Sequence, residues 1–329
     1  MFMKKYMKVF LFGSGDIAKK IYIEKNKWKK IDFFWGFNST WDKNWSDSKS
    51  ISAKKLSKSD KNSFQIKNRS ELISVVDKIK PDIGLVIGSR WIFDEDFFSK
   101  FSKGVFNYHP SNLPKYKGAG GLTWQVLNKE KESFVTIHEM VKNIDSGKII
   151  LQKKIKLKNN PSLLEFSKSV QNLSIKTILD FFSKINKGET FEKNKYNKHI
   201  SGTYFPLLDT NINGAINWDW EGKDIESFVN GFSRPYNGAF TYVTAKKNKI
   251  RILDCKFKKT SSLHPYTFGI ILDKTEKAVY VSVKNGVLKI NEVVIENNLK
   301  NNPLRLGSRL WTPHTELEKS LFYRPKNEK

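Results

Sequence analysis

Apolar positions in the first half of the chain come in short solid runs, separated by stretches with helical spacing. Val9-Phe10-Leu11-Phe12 reads as a buried strand, followed by a glycine turn and a helix over residues 16–24. Residues 31–37, 83–87 and 104–108 predict three further strands. Between them Leu72, Val75, Val76 and Ile79 keep a helical period until Pro81 stops it, and residues 93–101 are helix-like. Strands separated by helices of this length predict βαβ units and a parallel sheet. A helix near residues 122–128 leads into two adjacent strand-like runs, 134–140 and 148–157, joined by the turn-rich Asn143-Ile144-Asp145-Ser146-Gly147. Residues 163–185 form a long amphipathic helix that closes the unit.

Residues 38–50 are polar, dotted with tryptophan and loop-like, and 187–197 read as a charged linker. Beyond Gly202 the rhythm changes to short β-rich runs at 239–243, 250–257, 268–272, 279–283 and 286–294, with one clear helix at 224–232. Five short strands predict a small open barrel. The expected fold class is therefore α/β, with a Rossmann-like domain of mostly parallel sheet over 1–200. A smaller β-rich, OB-like domain follows over 201–329.

With 329 residues, 39% hydrophobic and 13% aromatic, the chain can fill a full core and is no disordered composition. The net charge of +26 invites a nucleic-acid reading. The excess is lysine dispersed along the whole length, and only seven arginines are present. Nucleic-acid readers favour arginine forks and clustered stripes, so a solvated surface is the better reading, compatible with attraction to small phosphate-bearing molecules. No apolar run approaches the roughly 20 residues that span a bilayer, and no secretory apolar segment follows the first residues. A lone Cys255 in a strand-like stretch predicts a buried, inert thiol. These features predict a cytoplasmic protein with no membrane partner.

The opening turn Gly13-Ser14-Gly15-Asp16-Ile17-Ala18 has the spacing of a dinucleotide fingerprint. That fingerprint needs a carboxylate at the end of the second strand to hold a ribose. The second strand ends Gly36-Phe37-Asn38, so a tight turn that packs a helix on the sheet is favoured. The histidines His199, His264 and His314 form no ligand spacing, and no metal is expected.

The informative stretch is Asn107-Tyr108-His109-Pro110-Ser111-Asn112-Leu113-Pro114-Lys115-Tyr116-Lys117-Gly118, followed later by Asp145. Asn107 and His109 are two apart on one strand and share a face. Pro110 removes a ladder donor and ends the strand, at the edge where open α/β sheets build their sites. A carboxylate beside an imidazole fixes its orientation and raises its pKa, and an amide N–H can donate to an oxyanion.

This stretch resembles the folate-dependent formyltransferase family, which carries Asn-x-His-Pro-Ser-x-Leu-Pro-x-Tyr-x-Gly and then an aspartate in an Asp-[Ser/Thr/Ala]-Gly-x-Ile turn. Here that turn is Asp145-Ser146-Gly147-Lys148-Ile149, and the resemblance covers roughly residues 8–185. It implies an enzyme with Asn107, His109 and Asp145 as catalytic residues and 10-formyltetrahydrofolate as co-substrate. The folate pocket would be lined by Ile87, Gly88, Ser89, Arg90, Trp91, Ile92 and Ile144. Trp91 is equally readable as core. Arg90, at a strand's carboxyl end, is placed where a substrate phosphate could reach it, with a solvated surface arginine a nearly equal reading. His138, on the strand 134–140, reads as packing or a supporting hydrogen bond. Ser111, Tyr116, Gly118, Trp124 and Tyr236 are candidate acceptor contacts. Tyr236 and Trp218 read first as core and second as stacking surfaces.

Two branches of the family share a second domain of this kind. One formylates methionyl-tRNA, and the other formylates a nucleotide-linked amino sugar. The tRNA enzymes usually read Arg-Gly-Ala-Ala-Pro-Ile where this chain has Lys117-Gly118-Ala119-Gly120-Gly121-Leu122-Thr123-Trp124. That segment, Trp218, the run 234–240 and the tail 306–313 look more like the sugar enzymes. A nucleotide-linked amino sugar is the expected acceptor, with tRNA the runner-up and a homodimer compatible. A hydrolase that passes formyl to water, or a non-catalytic binder, remains a lesser alternative.

Overall fold

The solid apolar runs of the first half become the middle of a seven-stranded sheet. The structure, a computed structural model, describes residues 6–41, 51–157, 161–189, 202–243, 248–296 and 302–325. His199, most of the polar 38–50 stretch and most of the 187–197 linker lie outside the described residues. The chain runs β1 (Met7–Gly13), α1 (Gly15–Ile23), β2 (Ile31–Phe37), α2 (Ala53–Leu56), β3 (Ser63–Gln65), α3 (Arg69–Ile79), β4 (Ile83–Ile87), α4 (Glu95–Ser99) and β5 (Val105–His109). These five strands lie parallel in the order β3-β2-β1-β4-β5. β1 and β4 sit at the centre with both faces covered, and Val9, Leu11 and Leu85 have no exposed surface. A strand covered on both faces needs a continuous apolar run, which explains why these two carry no alternation.

After β5 come β6 (Tyr116–Gly118), α5 (Gly121–Leu127), β7 (Glu132–Glu139), β8 (Ile149–Lys156) and α6 (Leu163–Lys187). β7 and β8 are antiparallel and extend the sheet beyond β5. α6 begins at a reciprocal cap between Ser162 and Glu165 and ends at Gly188 in a left-handed conformation. Its buried stripe of Phe166, Val170, Ile178, Phe181 and Phe182 joins the core under β1 and β5.

The second unit comprises β9 (Thr203–Phe205), α7 (Thr210–Asn213), α8 (Gly222–Phe232), β10 (Ala239–Val243), β11 (Asn248–Lys259), β12 (Ile271–Lys274), β13 (Val279–Val283), β14 (Gly286–Ile295), β15 (Leu310–Trp311) and α9 (His314–Phe322). Six of these strands form an antiparallel sheet in the order β12-β13-β14-β11-β10-β15. The sheet curls until its edges meet: Ile271 N–H donates to Ser308 O and Leu310 N–H to Gly269 O, both at 2.8 Å. That makes the small barrel, with α8 laid against it through Ile225, Val229 and Phe232. Cys255 is fully buried in this core, and burial pushes its thiol well up from the ordinary value.

Three local features differ from the sequence reading. The strand expected at 268–272 starts at Ile271, because Pro265–Thr267 forms a tight turn and Gly269 takes a left-handed φ of +83°. A two-stranded parallel ribbon, β6 with β9, joins the loop after β5 to the segment that enters the second unit. A terminal helix, α9, buries none of its residues, so it carried no apolar stripe to read.

Candidate active site

The site begins with the alternation of β5. Tyr108 points to the α6 side, where its hydroxyl bonds Ser174 Oγ at 2.7 Å. Asn107 and His109 therefore share the opposite face. β7 pairs with β5 in a register that sets His138 opposite Asn107 and Thr136 opposite His109. Directly paired residues on neighbouring strands project from the same face, so the four polar side chains gather on one patch of sheet.

Two loops close over that patch. The loop after Pro110 turns back on itself. Ser111 Oγ donates to Tyr116 O at 2.8 Å, and Thr136 Oγ1 donates to Ser111 O at 2.7 Å. His109 Nε2 lies 2.7 Å from the same Tyr116 carbonyl. A carbonyl only accepts, so Nε2 carries the hydrogen and Nδ1 keeps a lone pair. The turn between β7 and β8 supplies Asp145, whose Oδ2 is 3.7 Å from His109 Nδ1 and accepts from Gly118 N–H at 2.7 Å. Asp145 sits at a left-handed φ of 49°, uncommon for a residue with a side chain and often found where a functional group must be aimed.

His138 ties the other two together. Its Nδ1–H donates to Glu139 O at 2.9 Å, leaving Nε2 to accept from Asn107 Nδ2 at 3.2 Å. Asp145 Oδ1 is 3.4 Å from that same Nε2. Sequence reading made His138 a packing or supporting residue, and the structure gives it the supporting role: it fixes the Asn107 amide and leaves that amide a second N–H free to donate.

Burial, the largest influence on His109, pushes its pKa below the ordinary 6.5 despite the nearby Asp145 charge and the Tyr116 bond, which act upward. Burial acts upward on Asp145, but its surroundings, the donating Gly118 amide among them, hold its carboxyl below the usual range. Near neutral pH the pair is thus a neutral imidazole, its Nδ1 lone pair beside an ionised carboxylate, the protonation state a general base needs. A base is active when unprotonated, so activity falls as pH drops through the His109 pKa. Asp145 raises that pKa, and Asp145→Asn is therefore expected to lower kcat and to move the acid limb of its pH profile to lower pH. A limb that moved to higher pH would contradict the electrostatics described here.

The other expected contacts fall in three groups. Ile87 pairs with Tyr108, so the loop Gly88-Ser89-Arg90 leaves the sheet level with His109. Gly88 and Arg90 are exposed there, Ile92 is 45% exposed, and Ile144, on the Asp145 turn, is 42% exposed. Trp91 is buried, stacked on Phe12 with ring centres 5.4 Å apart and edge-on to Trp41, so its ring is core. Ser111 and Tyr116, expected to meet the acceptor, are buried. The Ser111 hydroxyl is engaged within the loop, and the Tyr116 hydroxyl donates to Glu130. Both hold the loop in shape, pinning it from inside beside Asn107 and His109. Trp124 Nε1–H donates to Pro206 O at 2.8 Å, and Tyr236 is half-buried against the first core. Among the described residues no group of three or more His, Cys, Asp or Glu side chains is arranged to hold a metal ion, and no helix is long and apolar enough to cross a membrane.

A neutral imidazole beside a carboxylate, with an amide donor on the same face, suits group transfer at a carbonyl carbon. Residues 7–181 match the formyl transferase family and residues 210–303 match the formyl transferase C-terminal domain. The chain belongs to the formyl transferase family. It is 30% identical over 223 residues to the methionyl-tRNA formyltransferase of Borreliella burgdorferi strain ZS7, covering 68% of this chain and 69% of that protein. The corresponding enzyme of Caldicellulosiruptor saccharolyticus is 26% identical over 236 residues, covering 72% and 73%. In fold, the chain is similar to an N-formyltransferase from Helicobacter canadensis solved in complex with folinic acid and dTDP-3-aminofucose. That match has a TM-score of 0.63 and 22% identity, and spans 88% of this chain and 100% of that one.

Proposed function

We propose that this formyl transferase moves the formyl group of 10-formyltetrahydrofolate onto the amine of a nucleotide-linked amino sugar. The donor supplies an activated formyl carbon. Ile92 and Ile144 present uncovered apolar surface on two loops at the site, which suits a flat pterin ring. The acceptor amine attacks as its free base. His109 Nδ1 takes the proton that attack releases, and Asp145 stabilises the imidazolium. The second N–H of Asn107 donates to the formyl oxygen as negative charge builds on it. The proton then passes, through Asp145 and water, to the departing folate nitrogen.

The observation that carries the choice of acceptor is the segment after Gly118. It departs from the Ala-Ala-Pro-Ile pattern usual in the tRNA enzymes. Instead Gly120, at a φ of +73°, starts α5 and sets Trp124 against Phe205, with ring centres 5.1 Å apart. The similarity to the Helicobacter canadensis enzyme, which runs through both units, supports the same reading. The second reading, methionyl-tRNA as acceptor, is favoured by the relatives at 26–30% identity.

A small diphosphate acceptor makes few ionic contacts, whereas tRNA makes many. The acceptor KM is therefore expected to rise shallowly with salt on a log–log plot, and a steep slope would favour tRNA. Arg90, exposed level with the catalytic strand end, is the proposed pyrophosphate contact. Arg90→Ala is expected to raise acceptor KM more than it lowers kcat, the signature of uniform binding.

A further inference from the structure

The ribbon formed by β6 and β9 brings two unassigned side chains to the rim of the catalytic patch. Lys117 and Tyr204 are register partners in a parallel pair, so they project from the same face. Tyr116 and Phe205 occupy the other face and stack on each other with ring centres 4.8 Å apart. The Tyr204 ring lies against Gly118, where an added Cβ would come within 2.8 Å of it. Gly118 is the residue whose amide holds Asp145. Tyr204 is nevertheless 52% exposed, an aromatic surface left uncovered beside the reacting groups.

Lys117 reaches the same place from the other strand. Its ammonium donates to Ser146 Oγ at 3.1 Å, next in sequence to Asp145. Among the described residues no carboxylate lies within 4.0 Å of it, unlike Lys115 and Lys129, which pair with Glu130 and Asp224. The cation therefore keeps its charge for an incoming group. A cation and an open aromatic ring on one face match the two ends of a nucleoside diphosphate, whose phosphate oxygens take ammonium donors and whose base stacks on aromatic rings.

We infer that the Lys117–Tyr204 face is the subsite for the nucleoside diphosphate half of the acceptor, with Lys117 on a phosphate oxygen and the Tyr204 ring under the base. This rests on the sugar-nucleotide reading of the acceptor. The test is calorimetric titration of UDP, dTDP and GDP, each alone, into the full chain and into Lys117→Gln and Tyr204→Ser. Tetrahydrofolate titration of the same samples checks that the folate side is intact. The Tyr204→Ser change removes an exposed ring and touches no core. At least one diphosphate is expected to bind the wild type, and each variant to weaken it about tenfold, with tetrahydrofolate binding unchanged. Equal diphosphate affinity in wild type and variants would overturn this placement and leave the acceptor reading standing. Failure of every diphosphate to bind the wild type would overturn the acceptor reading itself.

Discussion

His109→Ala is expected to lower kcat by roughly 10² to 10⁴ while leaving the fold intact. The size follows from what the side chain does and what replaces it. Nδ1 carries a lone pair beside an ionised carboxylate, 3.7 Å away at Asp145 Oδ2, whereas the other unprotonated ring nitrogen of the patch, His138 Nε2, is taken up by the Asn107 amide. Water can accept the amine proton in its absence but is neither aligned nor a comparable base. The fold survives because the Tyr116 carbonyl that His109 contacts also accepts from Ser111 Oγ, so no buried acceptor is stranded. The loss should fall on kcat, with the KM of both substrates nearly unchanged, because proton removal belongs to the transition state. Steady-state kinetics with thermal unfolding of the same sample checks both halves. A folded variant with near-normal turnover would sink the assignment.

Gly147→Ala is expected to cost about 10² in kcat without touching any reacting group. An ideal Cβ at this position would stand 1.8 Å from Glu139 O and 2.7 Å from its carbonyl carbon. Glu139 cannot retreat: its N–H donates to Lys148 O, and the following Met140 N–H donates to Val105 O, both at 2.8 Å. The turn must move instead, and Asp145, two residues away in a strained left-handed conformation, moves with it. A displacement near 1 Å at the carboxylate proposed to support His109 is enough for a loss of this order. Unchanged turnover in Gly147→Ala would mean that the turn is looser than its contacts imply.

The extent to which all this was legible in the sequence follows from the range of each interaction. Asn107 and His109 were readable because two-residue alternation and a terminating proline are local facts. The parallel sheet was readable because β1 and β4 are covered on both faces and so carry unbroken apolar runs. The barrel strands appeared with boundaries shifted by a few residues, the largest shift being where Gly269 and the turn before it delay β12. Asp145 was found through the motif rather than through spacing, since nothing local says that a turn 36 positions after His109 returns to it.

The tie that His138 makes depends on the register between β5 and β7, and that register is absent from either strand's own pattern. Ser111 and Tyr116 were candidate acceptor contacts through the motif they belong to. Here the loop spends them on its own carbonyl and on Glu130. The β6–β9 ribbon joins segments 87 residues apart by short strands of three residues each, too brief to leave a periodic signal.

Formyl transfer to a nucleotide-linked amino sugar can be read out in a single two-armed assay. Purified full-length protein is given 10-formyltetrahydrofolate with a radiolabelled formyl carbon. One arm contains methionyl-tRNA, and the other contains a panel of nucleotide-linked 3-amino and 4-amino sugars. Label is expected in at least one amino sugar and little in the tRNA, with His109→Ala abolishing the transfer. Efficient labelling of methionyl-tRNA, with no turnover of any amino sugar, would contradict it.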